Sequence, residues 1–150
     1  MDKFDLKILE LLQEDASRTN ASLAEAAGLT PSTCLRRVRK LKAAGMIDGV
    51  VAILNPSLAG RSLKAVVNVE LEHHGEQHMR RFLGSVANEI AVTQAYGVSG
   101  AIDAILVLRL KDMNEYDAFC QRIFDENSNV IRYVTNFVIR TAKETTALSM

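Results

Sequence analysis

The stretch Asn20–Gly45, NASLAEAAGLTPSTCLRRVRKLKAAG, predicts two short helices joined by a tight turn. We place the first N-cap at Asn20, because a side-chain oxygen at that position accepts a backbone hydrogen bond. Gly28 permits a positive φ and ends the first helix. Thr30 caps the second helix, and Pro31 fills its first position, where a missing N–H costs no hydrogen bond.

The second of these helices has two unlike faces. At about 100° per residue, we place its apolar side chains on one side: Cys34, Leu35, Val38 and Leu41. The polar side chains fall on the other: Ser32, Thr33, Arg36, Arg37, Arg39 and Lys40. Between Pro31 and Gly45 there are five basic residues and no acidic one. A solvated helix of an ordinary bundle is the alternative, but charge of a single sign favours a helix that enters a DNA major groove.

Roles within the polar face follow from position along the helix. We expect Ser32, Thr33 and Arg36 to contact base edges, because they lie near the helix start or face outward. Arg37, Arg39 and Lys40 are predicted phosphate contacts. A brace between the helices is the alternative role for Arg37.

Composition limits the class of protein. The 150 residues suffice for one domain or two small ones, and a formal net charge of zero means that nucleic-acid affinity must come from a local patch. No apolar run approaches the ~20 residues that span a bilayer, and we do not expect the N-terminal segment to be a signal peptide, because acidic residues lie among its apolar ones. Cys34 and Cys120 lie far apart without metal-ligand spacing, so we interpret them as reduced, buried thiols. We expect a cytoplasmic protein without a metal or cofactor.

The flanking segments complete a small N-terminal domain. Asp2–Asp15 predicts a first helix that packs behind the other two. Met46–Leu54 is rich in β-branched residues and predicts a short two-stranded wing or a single strand. Pro56 and Gly60 mark a break in the chain. We therefore predict a helix-turn-helix domain over residues 1–55, a linker over 56–62 and a second domain over 63–150.

The second domain alternates strands and helices. Strands are predicted at Leu63–Leu71, Ile90–Val98, Ile102–Leu110 and Val130–Arg140, with a helix around Met79–Val86 and another opened by a capping box of Asp112 and Glu115. The order βαββαβ predicts a ferredoxin-like sandwich with both helices on one sheet face. The fold class is therefore α+β: a winged helix-turn-helix followed by a ferredoxin-like domain.

The sheet face opposite the helices has no predicted cover. Its rows are predicted to be Val66, Asn68, Ala91, Ala95, Ile105, Val107, Val134 and Val138, or the complementary rows. Because a mostly apolar face is most simply buried against another copy of itself, we predict a homodimer through this sheet.

In several motifs the chain resembles the leucine-responsive regulator/asparagine regulator (Lrp/AsnC) family of transcription factors. The motifs are D-x-x-I-L-x-x-L at Asp5–Leu12, N-A-S-L-A at Asn20–Ala24, G-L-T-P-S-T-C-L-R-R-V-R-K-L at Gly28–Leu41, G-M-I-D-G at Gly45–Gly49, V-S-G-A-I-D at Val98–Asp103 and K-E-T-T-A-L at Lys143–Leu148. The resemblance covers the whole chain. It implies a regulator that binds double-stranded DNA, forms dimers that assemble to an octamer, and senses an amino acid between dimers.

The resemblance also implies where the effector binds. In the family the cleft is lined by the loop that here comprises Val98, Ser99, Gly100, Ala101, Ile102 and Asp103, and the strand positions Thr135 and Asn136 are expected to join it. The family loop usually has an acidic and an aromatic residue where this chain has Ala101 and Ile102. An acidic side chain at this position would be a natural partner for a ligand ammonium group. Because this chain lacks it, the loop leaves open which effector binds. An architectural DNA-binding protein without an effector is the alternative.

Two other kinds of site are weaker interpretations. His73, His74 and His78 lie close in sequence, but without nearby cysteines they are more simply solvated histidines than metal ligands. An enzyme would need a catalytic constellation, and neither a Ser/His/Asp or Cys/His set nor a phosphate-binding loop is present. We therefore expect a protein that is not an enzyme.

Overall fold

The computed structural model describes residues 1–126 and 129–149, which group into two units. The first unit is Met1–Ile53 together with the tail from Ala142, and the second is Leu54–Thr141. The tail, which we predicted as part of the domain 63–150, groups by its contacts with the first unit. In the structure the Gln13 side chain donates to the carbonyl of Leu148 at 3.0 Å and accepts from its N–H at 2.6 Å.

The first unit is a three-helix domain. Its helices are α1 (Lys3–Glu14), α2 (Asn20–Ala27) and α3 (Pro31–Ala43). All three contribute to one core, whose buried members are Ile8, Leu9, Leu11, Leu23, Ala24, Ala27, Cys34 and Leu41. Burial of these side chains against each other stabilises a domain whose helices are too short to be stable alone.

Local signals set the helix ends, with one correction. Gly28 has φ +68°, and Thr30 and Pro31 occupy the predicted cap and first position of α3. The N-cap of α2 is Thr19 rather than Asn20, because the Thr19 hydroxyl accepts from the Ser22 N–H at 3.2 Å. The Asn20 amide instead donates to the carbonyl of Pro31 at 2.8 Å, which ties α2 to the start of α3.

The prediction of a two-stranded wing or a single strand at Met46–Leu54 is wrong for the described residues. No strand lies between Ala43 and Leu63 among the described residues. A strand needs a neighbour for its backbone hydrogen bonds, and the described chain offers none here. Val51 and Ile53 are 83% and 80% exposed.

The second unit has the predicted βαββαβ order. It runs β1 (Leu63–Leu71), α4 (Glu76–Val86), β2 (Val92–Gly97), β3 (Ala104–Leu110), α5 (Met113–Cys120), a π-helical turn (Gln121–Asp125) and β4 (Val130–Phe137). The strands form one antiparallel sheet in the order β2-β3-β1-β4, which confirms the ferredoxin-like topology. β3 begins two residues later than predicted, so Ile102 and Asp103 belong to the preceding loop.

One sheet face packs on the helices and the other is open. Alternate residues of β1 and β3 point into the core with Phe82, Val86, Phe119 and Phe124. The predicted open face is wrong in β2, because Ala91 is only 4% exposed and Ala95 packs against the core. An irregularity between Val92 and Gln94 shifts the register, so Gln94 and Tyr96 occupy the open face instead, opposite Val107 and Ile105.

The capping box predicted at Asp112 and Glu115 forms only in part. The Asp112 carboxylate accepts from the Glu115 N–H at 2.9 Å. The Glu115 carboxylate accepts from the Lys111 N–H at 2.7 Å and pairs with Arg61 instead of returning to Asp112. The Lys111 bond, followed by Arg61, holds the pKa of Glu115 below its usual value.

Candidate DNA-binding face and effector loop

The outer face of α3 presents most of the predicted DNA contacts. Ser32, Arg36, Arg39 and Lys40 are exposed, whereas Thr33 is half-buried. The Thr33 hydroxyl accepts from the Thr30 hydroxyl at 2.9 Å and therefore forms part of the helix cap. The side chains of the other four project from a helix whose opposite side is buried at Cys34 and Leu41.

The basic side chains of this face carry uncompensated charge. Within residues 1–126 and 129–149, none of four cations on α3 forms an ion pair: Arg36, Arg39, Lys40 and Lys42. Their charges are therefore available to an external anion. A surface of this kind binds a polyanion by releasing its counterions.

Arg37 differs from the other cations of α3. Its guanidinium lies 2.9 Å from the Asp2 carboxylate and 2.7 Å from that of Asp5, and it stacks 5.6 Å from the ring centre of Phe4. The hydrogen bonds that Arg37 donates to Asp5 and then to Asp2 raise the pKa of its guanidinium. The arginine thus braces α3 against α1, the alternative left open for it, and is no longer assigned to a phosphate.

Leu35 is another correction on this helix. We placed it on the apolar side of the helix with Cys34, but 39% of its surface is exposed and it is not among the buried residues of the core. The helical wheel contains the signal: Leu35 lies about 100° from Cys34, whereas Val38 and Leu41 lie within about 40°. By the same measure Arg37 lies about 60° from Cys34, nearer the core than Leu35.

The predicted effector loop, residues 98–103, is pinned by its last residue. Asp103 donates its N–H to the carbonyl of Val69 at 2.9 Å, and its carbonyl accepts from the Val98 N–H at 2.9 Å. One oxygen of its carboxylate accepts from the Leu71 N–H at 2.8 Å, and the other lies 3.0 Å from Nδ1 of His74. Both carboxylate oxygens are thus engaged within the protein.

The middle of the loop offers backbone donors. Among the described residues, the N–H groups of Ser99, Gly100, Ala101 and Ile102 donate no hydrogen bond. Gly100 has φ +141°, a conformation that disfavours any side chain, and open space surrounds the position of a Cβ atom there. Such a loop can approach a ligand closely and donate to a carboxylate.

The two strand residues predicted to join the loop lie on opposite sheet faces. Thr135 pairs with Val67 on the helix side and accepts from the Tyr116 hydroxyl at 2.7 Å. Burial, followed by a hydrogen bond with Cys120, raises the pKa of Tyr116 to about 12, so it remains a donor at neutral pH. Asn136 pairs with Val66 on the open side and is exposed. A ligand on either face therefore contacts only one of the two.

The histidines and cysteines were the other candidates for a metal site. In the described part of the chain, no three His, Cys, Asp or Glu side chains are placed to hold a metal ion. The rings of His73 and His78 pack edge to face with centres 5.6 Å apart. Cys34 and Cys120 are both buried, and burial raises the pKa of each thiol. Within the same described residues, no helix has the length and apolar content needed to cross a lipid bilayer.

Comparison with known proteins identifies both units. Residues 1–42 match the model of the AsnC-type helix-turn-helix domain, and residues 64–148 match that of the Lrp/AsnC ligand binding domain. The DNA-binding transcriptional activator DecR of Escherichia coli is 32% identical over 99% of this chain and 97% of that protein. The leucine-responsive regulatory protein of Rhizobium meliloti is 36% identical over 96% and 92%, respectively.

A solved structure extends the likeness to three dimensions. The transcriptional regulator NMB0573 of Neisseria meningitidis, in complex with L-Met, superposes with a TM-score of 0.93. It is 32% identical, and the alignment covers 99% of this chain and 96% of that one.

Proposed function

The chain belongs to the Lrp/AsnC family of transcriptional regulators, and from that premise we propose that an amino acid bound at loop 98–103 controls its assembly and its binding to promoters. The observation that carries the DNA-binding part is the outer face of α3, where four cations have no ion pair among the described residues. Regulation requires that the effector bind the competing assemblies with different affinity.

On the DNA side, the roles divide by position on α3. Ser32 and Arg36 are exposed in its first half and are assigned to base edges, with Thr33 supporting them from the helix cap. Arg39 and Lys40 are exposed in the second half and are assigned to phosphates.

On the effector side, two observations support a free amino acid. The four undonated N–H groups of the loop suit the ligand carboxylate, which is common to all amino acids. The solved structure of NMB0573, a relative that matches this chain over nearly its full length, is that of its complex with L-Met. The Asp103 carboxylate is engaged by Leu71 and His74, so the ligand ammonium group must find another partner.

The open sheet face supports a homodimer. Val66, Ile105, Val107 and Val134 form a mostly apolar centre around Asn68, which pairs with Ile105 on one side and Val134 on the other. The pair of Arg132 and Glu70 lies at its edge. Subunit interfaces typically have an apolar centre and a polar or charged rim. Two-fold pairing of two chains would bury this sheet face against the same face of the partner. Further assembly of dimers to an octamer and a cytoplasmic location are parts of the same proposal.

A thermal-shift screen of the twenty amino acids tests the effector assignment, because a ligand that binds the native state raises the Tm by mass action. The screen compares the full chain with Ala101→Arg, which adds bulk and positive charge to the exposed loop, and with Ala87→Arg, which makes the same change at an exposed alanine after α4. We expect a stabilising amino acid whose effect is lost only in Ala101→Arg.

Two other outcomes distinguish the alternatives. A stabilising effect that survives Ala101→Arg would place the effector elsewhere. If no amino acid shifts the Tm while DNA binding is intact, the effector assignment fails and the architectural role is favoured.

A further inference from the structure

Leu35 stands out on the outer face of α3. Of the residues Pro31–Ala43, all within the described chain, it is the only large apolar side chain with more than a third of its surface exposed, at 39%. Single exposed leucines are common on protein surfaces and need no special explanation. The position of this one, on the surface assigned to DNA, is what calls for an explanation.

The neighbours of Leu35 are the residues assigned to DNA. Ser32 and Arg39 lie three residues before and four residues after it, so one surface stripe contains all three side chains. Arg36 follows directly in the sequence, and Ser32, Arg36 and Arg39 are all exposed. A duplex that approaches these polar side chains therefore also covers Leu35.

The chemistry of a major groove restricts what a covered leucine can contact. Base edges there present hydrogen-bond donors and acceptors, and thymine alone adds a methyl group. A leucine against a donor or acceptor removes water without replacing its hydrogen bond, which is unfavourable. Against the thymine methyl, both partners are apolar and their burial is favourable.

We propose that Leu35 is a specificity-determining residue that reads the C5-methyl group of a thymine in the major groove. The inference rests on the proposed DNA-binding role of α3 and adds a contact to it. Leu35 selects thymine both by the apolar contact and by the penalty that the other bases incur. The polar neighbours set the register, and the leucine fixes the identity of one base pair in each half-site.

The experiment removes the two methyl-bearing partners separately. A duplex is first selected from a random pool with the full-length chain, and each thymine in it is then replaced singly by deoxyuridine, which lacks only the methyl group. The affinities of the wild type, Leu35→Ala and Leu35→Met for each duplex are measured by fluorescence anisotropy. Leu58→Ala is the matched control, because it makes the same truncation at a leucine that is 88% exposed in the second unit.

We expect one thymine per half-site at which deoxyuridine weakens wild-type binding about fourfold, the effect of one buried methyl group. Leu35→Ala should bind the two duplexes equally, whereas Leu35→Met and Leu58→Ala should still discriminate. Leu35 is only 39% exposed, so its truncation is expected to lower the Tm slightly, and a cooperative melting transition shows that the variant is folded.

Three results would overturn the inference, and they differ in what else they overturn. Equal discrimination by Leu35→Ala and the wild type would remove Leu35 from the methyl contact but leave DNA binding by α3 in place. A wild type that is indifferent to every deoxyuridine would exclude any methyl reading by the protein. A failure to select any duplex would overturn the proposed DNA-binding role together with this contact.

Discussion

The outer face of α3 and the loop 98–103 are both assigned to binding, yet the chain holds them in different ways. α3 is defined by residues close to it in sequence: Thr30 caps its start and Gly45, at φ +69°, follows its end. The loop depends on Asp103, whose carboxylate accepts from the N–H of Leu71, 32 residues earlier in the chain.

This difference predicts how each site responds to substitution. The outer side chains of α3 contribute little to the fold, because they are exposed and form no ion pair among the described residues. Changing them should alter binding without altering stability. Asp103 both shapes the loop and joins it to β1, so changing it should alter stability and effector binding together.

The largest effect is expected from Arg36→Ala. If Arg36 contacts a base edge, its loss should cost ~1–3 kcal/mol of DNA binding and relax the preference for one base pair. Affinities for the selected duplex and its single-base-pair variants measure both quantities, and the Tm should be unchanged. Arg80→Ala, at an exposed arginine of α4, provides the control. If Arg36→Ala left all affinities as they were, the recognition face would be placed wrongly.

A comparable but distinct effect is expected from Asp103→Ala. The variant leaves the Leu71 N–H without its acceptor, a loss of ~1–3 kcal/mol in the free energy of unfolding. Tyrosine fluorescence in urea measures the second unit separately, because the chain has three tyrosines and no tryptophan, and Tyr96, Tyr116 and Tyr133 all lie in Leu54–Thr141.

Asp103→Asn is the matched variant, because its amide keeps one oxygen that can accept from Leu71. It should lose less stability than Asp103→Ala. If Asp103→Ala and Asp103→Asn both had the same urea midpoint of unfolding as the wild type, Asp103 would not hold the loop.

The contrast between local and distant contacts also explains which features could be predicted from the sequence. The helix ends at Gly28 and Thr30 are local signals, and the structure confirms them. The βαββαβ order is confirmed too, because alternating and helical patterns are read within a single element. The partial burial of Arg37 and the exposure of Leu35 are also indicated by the helical wheel. We kept a bracing role for Arg37 only as the alternative and placed Leu35 on the apolar side, because residue type was given more weight than angle.

Features that depend on distant contacts were not accessible in this way. The irregularity beside Val92 moves Ala95 to the helix face, and no local pattern reveals it. Asp112 and Glu115 have the spacing of a capping box, but Lys111 and Arg61 compete for the Glu115 carboxylate. Likewise, no local pattern predicts that Leu71 and His74 occupy the Asp103 carboxylate.

Arg37→Leu tests whether Arg37, unlike the exposed cations of α3, stabilises the fold through its ion pairs. The Asp5 N–H and then Arg37 lower the pKa of Asp2, and the Asp2 N–H and then Arg37 lower that of Asp5. A carboxylate with a lowered pKa stabilises the fold above its usual pKa of about 4, and this contribution is lost as the pH falls through the folded value. Arg37→Leu should therefore reduce the Tm by a few degrees at neutral pH, and the difference from the wild type should shrink in acid.

Arg36→Leu is the control for this measurement, because it removes the same charge from an exposed position. Its Tm should follow that of the wild type at every pH, as recorded by far-UV circular dichroism. A constant difference between Arg37→Leu and the wild type across the acid range would mean that the carboxylates do not contribute through Arg37.

The smallest effect, that of Lys40→Ala, addresses the division of α3 into base and phosphate contacts. Each neutralised phosphate adds about 0.9 to the slope of log affinity against log salt. Losing one such contact should flatten the slope by about that amount and weaken all duplexes alike. Lys40→Arg keeps the charge and should keep the slope. If Lys40→Ala instead changed the preference among duplexes at constant slope, Lys40 would read bases. The base contacts would then extend into the second half of α3, and Arg39, one residue before it, would have to be reassigned with it.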